Sequence, residues 1–180
     1  MTLLRRTFLT TACALALAAP ALAQAQSIKI AGLYELSGAG ATSGTNFKDG
    51  VALAVKEINA AGGIMGKKIE HSISDTQSNP GVAKGLTTKA VDDNVLAIFG
   101  PVFSGSIMVS MAESRRAEVP NIVGGEAAAI TKQGNPYVFR TSFTQDTAMP
   151  KVARYLANNL KAKNVAVIGQ PATAPNISRQ

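Results

Sequence analysis

Residues 27–70 read SIKIAGLYELSGAGATSGTNFKDGVALAVKEINAAGGIMGKKIE. Ile28 to Leu33 is a short apolar run with β-branched residues, the composition of a strand. A polar, Gly-rich loop follows from Tyr34 to Gly44. Phe47, Val51, Ala54, Val55 and Ile58 then recur at i, i+4, i+7, i+8 and i+11, which draws one apolar stripe along a helix. Gly62-Gly63 closes it, because glycine accepts the left-handed backbone that ends helices. Lys67 to Ser74, with Ile69 and Ile73, reads as the next strand.

The same alternation continues outward. Asn79-Pro80 starts a second helix, with Asn as N-cap and Pro at the first helical position. Its apolar face is Val82, Ala83, Leu86 and Ala90. Val95 to Phe99 is continuously apolar, as a strand buried on both faces should be. Gly100-Pro101 turns the chain, and Ser104 is placed to cap a third helix with Ile107, Met108, Met111 and Ala112 inward. Asn121 to Val123 and Tyr137 to Phe139 read as short strands. Met149, Val152, Leu156 and Leu160 mark a fourth helix, and Val165 to Ile168 a last strand. The fold class is therefore α/β, a parallel sheet with helices on both faces. Ligands of such sheets bind at the carboxyl ends of the strands, by a topological switch point. The candidate site is in the loops after Leu33, Phe99 and Val123.

Composition narrows the function. The chain has 180 residues, 46% hydrophobic and 16% charged, with one Cys and no Trp. Those values exclude a disordered chain, a coiled coil and a disulfide scaffold. Residues 1–26 form an export signal. Arg5 and Arg6 are its basic start, Phe8 to Ala19 its apolar stretch, and Ala21-Leu22-Ala23 or Ala23-Gln24-Ala25 the cleavage site. Arg5-Arg6-Thr7-Phe8-Leu9 also resembles a twin-arginine signal, with Leu4 where that motif prefers Ser or Thr. The only cysteine, Cys13, lies within the signal, so a cleaved chain forms no disulfide. Removing Arg5 and Arg6 from the 18 basic residues leaves 16 against 11 acidic, a charge of +5. The bases are scattered without aromatic runs, which argues against nucleic acid.

The loops offer binding chemistry rather than catalysis. Gly38, Gly40 and Gly44 imitate a dinucleotide fingerprint with Asp75 as ribose acid, but the third glycine is one residue late. Ser104, at a helix N-terminus, can present its hydroxyl and the N–H groups of Gly105 and Ser106 to an anion, or can simply cap its helix. Gly124-Gly125 allow close backbone approach. Glu126 can pair a ligand ammonium or stand solvated. His71 is the only histidine and is expected at the surface of its strand. Asp92 and Asp93 are adjacent near a helix end and point apart. No Ser-His-Asp order, G-x-S-x-G elbow, Walker loop or metal-ligand cluster is present. No enzyme activity and no cofactor are expected.

Taken together, residues 27–70, Asp75-x-Gln77-x-Asn79-Pro80, Ile98-Phe-Gly100-Pro-Val-Phe-Ser104, Val119-Pro-Asn-Ile-Val and Tyr137-Val-Phe-Arg140-Thr141 resemble the periplasmic leucine/isoleucine/valine-binding proteins of ABC importers. The resemblance covers about residues 27–169. It implies a type I periplasmic-binding-protein lobe and a second lobe closing on a ligand. The implied function is capture of an amino acid or related small carboxylate in the periplasm and delivery to an ABC permease of the inner membrane. The expected state is a monomer. A ligand-sensing domain of the same fold is the alternative, and a secreted nucleotide-binding enzyme a more distant one.

Residue by residue, the resemblance implies that Ser104 binds the ligand carboxylate with its hydroxyl and N–H. Phe103 and Val102 match neighbouring contact positions, and Gly125 a residue whose carbonyl receives the ligand ammonium. Ala127 stands where amino-acid binders often carry Thr, and Ser43 where leucine binders place an aromatic wall. The implied domains are a signal over 1–26, a first lobe over 27–140 and the start of a second over 141–169. Residues 170–180, with two prolines and no periodicity, are a divergent tail expected to be disordered. A truncated or frameshifted member, with its second lobe largely missing and weak binding, is the expectation.

Overall fold

The apolar run after Ser27 forms the hub of the molecule. A computed structural model describes residues 27–167. The expected export signal and the 170–180 tail lie outside the described residues. Strand β1 (Ile28–Tyr34) pairs in parallel with β2 (Ile69–Asp75) in the register Ile28↔Ile69 to Tyr34↔Asp75. Its other edge pairs with β3 (Ala97–Phe99), followed by β4 (Asn121–Val123) and β5 (Val138–Arg140), all parallel. The order β2-β1-β3-β4-β5 reverses direction between β1 and β3. That reversal is the switch point where a parallel sheet opens a crevice at its carboxyl ends.

Helices α1 (Ala41–Ala60), α2 (Pro80–Asp92) and α3 (Ser104–Arg116) are the crossovers. Asn79 caps α2, its Oδ1 accepting from the N–H groups of Gly81 and Val82 at 2.8 and 3.2 Å. Asn59, near the end of α1, clamps the start of β2 by exchanging two hydrogen bonds with the Ile69 backbone. Alternation along β1 sends Ala31 and Leu33 into one core with Ala90, Val95 and Ile98. A second core joins Ile107 and Met111 of α3 to Val123, Val138 and Ile130. Ile130 belongs to a one-turn helix α4 (Ala129–Lys132), which periodicity over so few residues does not reveal. Burying each large aliphatic side chain there contributes about 1.5–3 kcal/mol.

The other face is thinly covered. The α1 stripe of Val51, Ala54, Val55 and Ile58 faces Ile28, Ile30, Ala97 and Phe99 across an apolar cleft of about 390 Å³. The third strand is therefore not buried on both sides. Ile98 is fully buried, whereas Leu96, just before the strand, is 63% exposed and lines that cleft.

Three further expectations are corrected. His71 is not a surface residue: it is half-buried on the α1 side, and its Nε2 is 3.0 Å from the Tyr34 hydroxyl. The fourth apolar stripe does form a helix, α5 (Gln145–Asn158), but the helix buries no residue and its Met149, Val152 and Tyr155 are exposed. The last strand does not form over Val165–Val167, which take no sheet partner and leave both valines exposed. A strand needs a neighbour with free backbone groups, and the sheet edges do not reach this segment. Ile168 lies outside the described residues.

Candidate functional site

The carboxyl ends of β1, β3 and β4 bring three loops together, and a buried carboxylate ties two of them. Glu35 directly follows β1 and is fully buried. Its two oxygens accept from the N–H groups of Val102 and Phe103 at 3.0 and 3.1 Å. The chain passes close by on both sides. A Cβ on Gly44 would stand 2.1 Å from the Glu35 carbonyl oxygen, and one on Gly100 (φ +94°) 2.0 Å from that of Leu33. The Gly100–Pro101 peptide is cis.

Held this way, the chain stays extended through Phe103 and enters α3 at Ser104. Ser104 is therefore the first helical residue and not the N-cap. Its hydroxyl accepts from the Ala127 N–H at 3.3 Å, which joins α3 to the loop after β4. Among the described residues, the N–H groups of Ser104, Gly105 and Ser106 take no partner, as the open first turn of a helix allows.

A cavity of about 230 Å³ opens here. Ser43, Val102, Phe103 and Ser104 line it together with Gly124, Gly125, Glu126 and Gln145. Six of the eight candidate residues thus share one cavity. Gly105 follows in the first turn of α3, and Ala127 reaches the site only through its N–H. Larger cavities of about 530 and 390 Å³ lie elsewhere. The first is at the amino ends of β1 and β3, the wrong end of a parallel sheet for a ligand, and the second is the apolar cleft under α1.

The loop after β4 has its carbonyls occupied from behind. The Gly125 oxygen accepts from Ser142 Oγ at 2.9 Å and Arg140 Nη1 at 3.3 Å. The Ala127 oxygen accepts from Arg140 Nη1 at 2.9 Å, and that of Glu126 from the Gln145 N–H at 3.0 Å. Arg140 also bonds the Thr131 hydroxyl.

The glycine loop after β1 does not suit a dinucleotide. Asp75 is spent on the chain itself, accepting from the N–H groups of Leu36, Ser37 and Gln77 and, at 2.6 Å, from the Ser37 hydroxyl. The Ser37 hydroxyl bond leads the causes that hold the Asp75 carboxyl below its ordinary value. On the far side of β1 the Tyr34 hydroxyl is pushed well up by burial, and burial lowers His71. No group of His, Cys, Asp and Glu able to hold a metal occurs among the described residues.

Sequence reasoning missed Glu35, Arg140 and Gln145 as parts of this site. Glu35 carried a signal, a charge ending an apolar run beside a Gly-rich loop. Arg140 and Gln145 carried none, because their bonds to the loop after β4 run to backbone carbonyls more than a dozen residues away.

A family model described as "Periplasmic binding protein" matches residues 27–178. The Leu/Ile/Val-binding protein BraC3 of Rhizobium johnstonii is 33% identical over 142 residues, 78% of this chain and 39% of its own length. The branched-chain amino acid transporter substrate binding protein LivJ of Streptococcus pneumoniae, solved with isoleucine, superposes with a TM-score of 0.73 at 37% identity. It covers 76% of this chain and 40% of its own. A solute binding protein of an ABC transporter from Rhodopseudomonas palustris, solved with 3,4-dihydroxy benzoic acid, gives 0.68 at 26% identity, covering 74% and 36%. The chain thus spans about two fifths of the length of the relatives it matches.

Proposed function

Because this chain belongs to the periplasmic binding protein family, we propose that it is a non-catalytic, exported substrate-binding component of an ABC importer. It captures a small carboxylate, an amino acid or a related acid, and presents it to a permease of the inner membrane. The observation that carries this is the cavity at the switch point, with the free N–H groups of Ser104, Gly105 and Ser106 beside it. A carboxylate placed on such donors gains charge-assisted bonds and the favourable end of the helix dipole. The ligands bound in two solved relatives, isoleucine and 3,4-dihydroxy benzoic acid, share that group.

Ser104, Phe103, Val102, Gly105, Gly125, Ala127, Ser43 and Glu126 form this ligand site. Residues 27–140 are the ligand-binding lobe, and 141–169 begin a second one. The protein acts as a monomer in the periplasm after removal of the signal at Ala23 or Ala25. The lining comes from one sheet end and the first turn of α5, whereas tight small-molecule sites enclose most of their ligand. This chain by itself therefore binds weakly, at ~1 mM rather than the ~1 μM of an enclosed site, a loss of about 4 kcal/mol.

Titration of residues 27–180 with isoleucine and with 3,4-dihydroxybenzoate, followed by amide NMR shifts, tests this. Saturable shifts at Ser104, Gly105 and Gly125 near millimolar ligand are expected. A micromolar constant would overturn the weak-binding argument, and no shift by either ligand would overturn ligand capture.

A further inference from the structure

At the amino ends of the strands, away from the cavity, residues 62–68 read GGIMGKK and make a tight hairpin. Ile64 and Lys67 exchange two backbone hydrogen bonds of 2.9 Å, which leaves Met65 and Gly66 as its two-residue turn. Both turn residues have positive φ, +52° and +77°. A turn of that kind favours Asn-Gly, because most side chains with a Cβ are strained in the left-handed region and Asn tolerates it. Met65 is also 96% exposed, the most exposed large apolar side chain among the described residues. Neither its backbone nor its burial favours a methionine here, so the fold gains nothing from it.

Apolar and basic groups continue outward from this tip. Ile28, Ile58, Ile64 and Leu96 border the cleft under α1, and Ile64 and Leu96 are exposed. Residues 56–70 and Lys29 carry four lysines against two glutamates. Lys29, Lys67 and Lys68 are exposed and enter no salt bridge among the described residues, although Lys68 bonds the Asn59 carbonyl. The Ile28 N–H donates to the Lys68 carbonyl at 2.9 Å, so residues 1–26 join the fold beside this hairpin. With those residues read as an export signal, the hairpin lies where the chain is tethered to the membrane it crosses.

We infer that the Met65 hairpin is a contact tip for a bilayer that carries anionic phospholipid. Met65 and Ile64 enter the interface, and the lysines meet the phosphate headgroups. A small apolar insertion and a basic patch are each weak alone, and together they give reversible attachment. The contact leaves the cavity at the other end of the sheet free and does not depend on what that cavity binds.

The test sediments residues 27–180 with vesicles of phosphatidylcholine containing one-third phosphatidylglycerol, and with vesicles of phosphatidylcholine alone. Binding to the anionic vesicles only, weakened by salt, is expected. Met65→Asn suits the turn and removes the apolar tip. It should bind about tenfold more weakly while its urea midpoint holds or rises. Lys67→Gln should bind about fivefold more weakly with an unchanged midpoint. Undiminished binding by Met65→Asn, or equal binding to both kinds of vesicle, would overturn the membrane contact. A lowered urea midpoint in Met65→Asn would do the same, by making Met65 a residue that the fold needs. Absence of vesicle binding would also overturn it, and self-association lost in Met65→Asn would then assign the tip to a second copy of the chain.

Discussion

At the scale of single residues, the candidate site is shaped by side-chain bonds to distant backbone N–H groups. Glu35 is an acid at the head of the loop after β1, and in the structure it is an internal strut whose two oxygens hold the strand-to-helix loop. Ser104 reads as a cap and instead bonds the opposite loop. The type of residue was legible in both cases and its partner was not, because the partner is a backbone N–H distant in sequence. His71 gives this scale a measurable signature. Burial lowers its folded-state pKa, so the unfolded chain takes up a proton near 6.5 while the folded chain takes it up only at lower pH. The unfolded state then binds more protons, and stability falls as pH drops through 6.5 towards the folded pKa. Urea midpoints between pH 7.5 and 5.5 should decline for the natural protein and decline less for His71→Gln. Equal slopes would show that the ring is not linked to folding.

Among the elements, the helices divide into those that pack and one that does not. The period-3.6 pattern located α1, α2, α3 and α5 correctly, because each has an apolar stripe whatever it faces. It could not tell that the α5 stripe meets no partner, since periodicity records an amphipathic surface and not its neighbour. The short strands β4 and β5 were recognised from three residues each, helped by the regular strand-helix alternation around them. The contrast between α2 and α5 is testable by substitution. Asn79→Ala removes the two-donor cap of α2 and should cost about 1 kcal/mol. Val152→Lys on α5, 47% exposed, should change stability by no more than about 0.5 kcal/mol. Urea unfolding of both variants checks the pair. A loss above about 1.5 kcal/mol for Val152→Lys would mean that α5 is packed in solution.

Over the whole molecule, the parallel order β2-β1-β3-β4-β5 decides where function can be placed. That much followed from the sequence, because strand-helix alternation admits few topologies. The open α1 side did not, since a stripe that lines an unfilled cleft looks the same in sequence as one that is buried. The loop lining the cavity and the entry to α5 share one set of hydrogen bonds, running from Arg140, Ser142 and Gln145 to the carbonyls of Gly125, Glu126 and Ala127. Arg140→Ala should therefore speed amide hydrogen exchange at both Gly125–Ala127 and Gln145–Thr147, and unchanged exchange at either segment would refute the link. Sharing makes the two segments thermodynamic partners. Whatever steadies the start of α5 lowers the ordering cost of the ligand wall, and a ligand that steadies the wall stiffens α5 by the same free energy. A ligand in this cavity would thereby stiffen the next stretch of chain through the Arg140, Ser142 and Gln145 hydrogen bonds, without a moving part of its own.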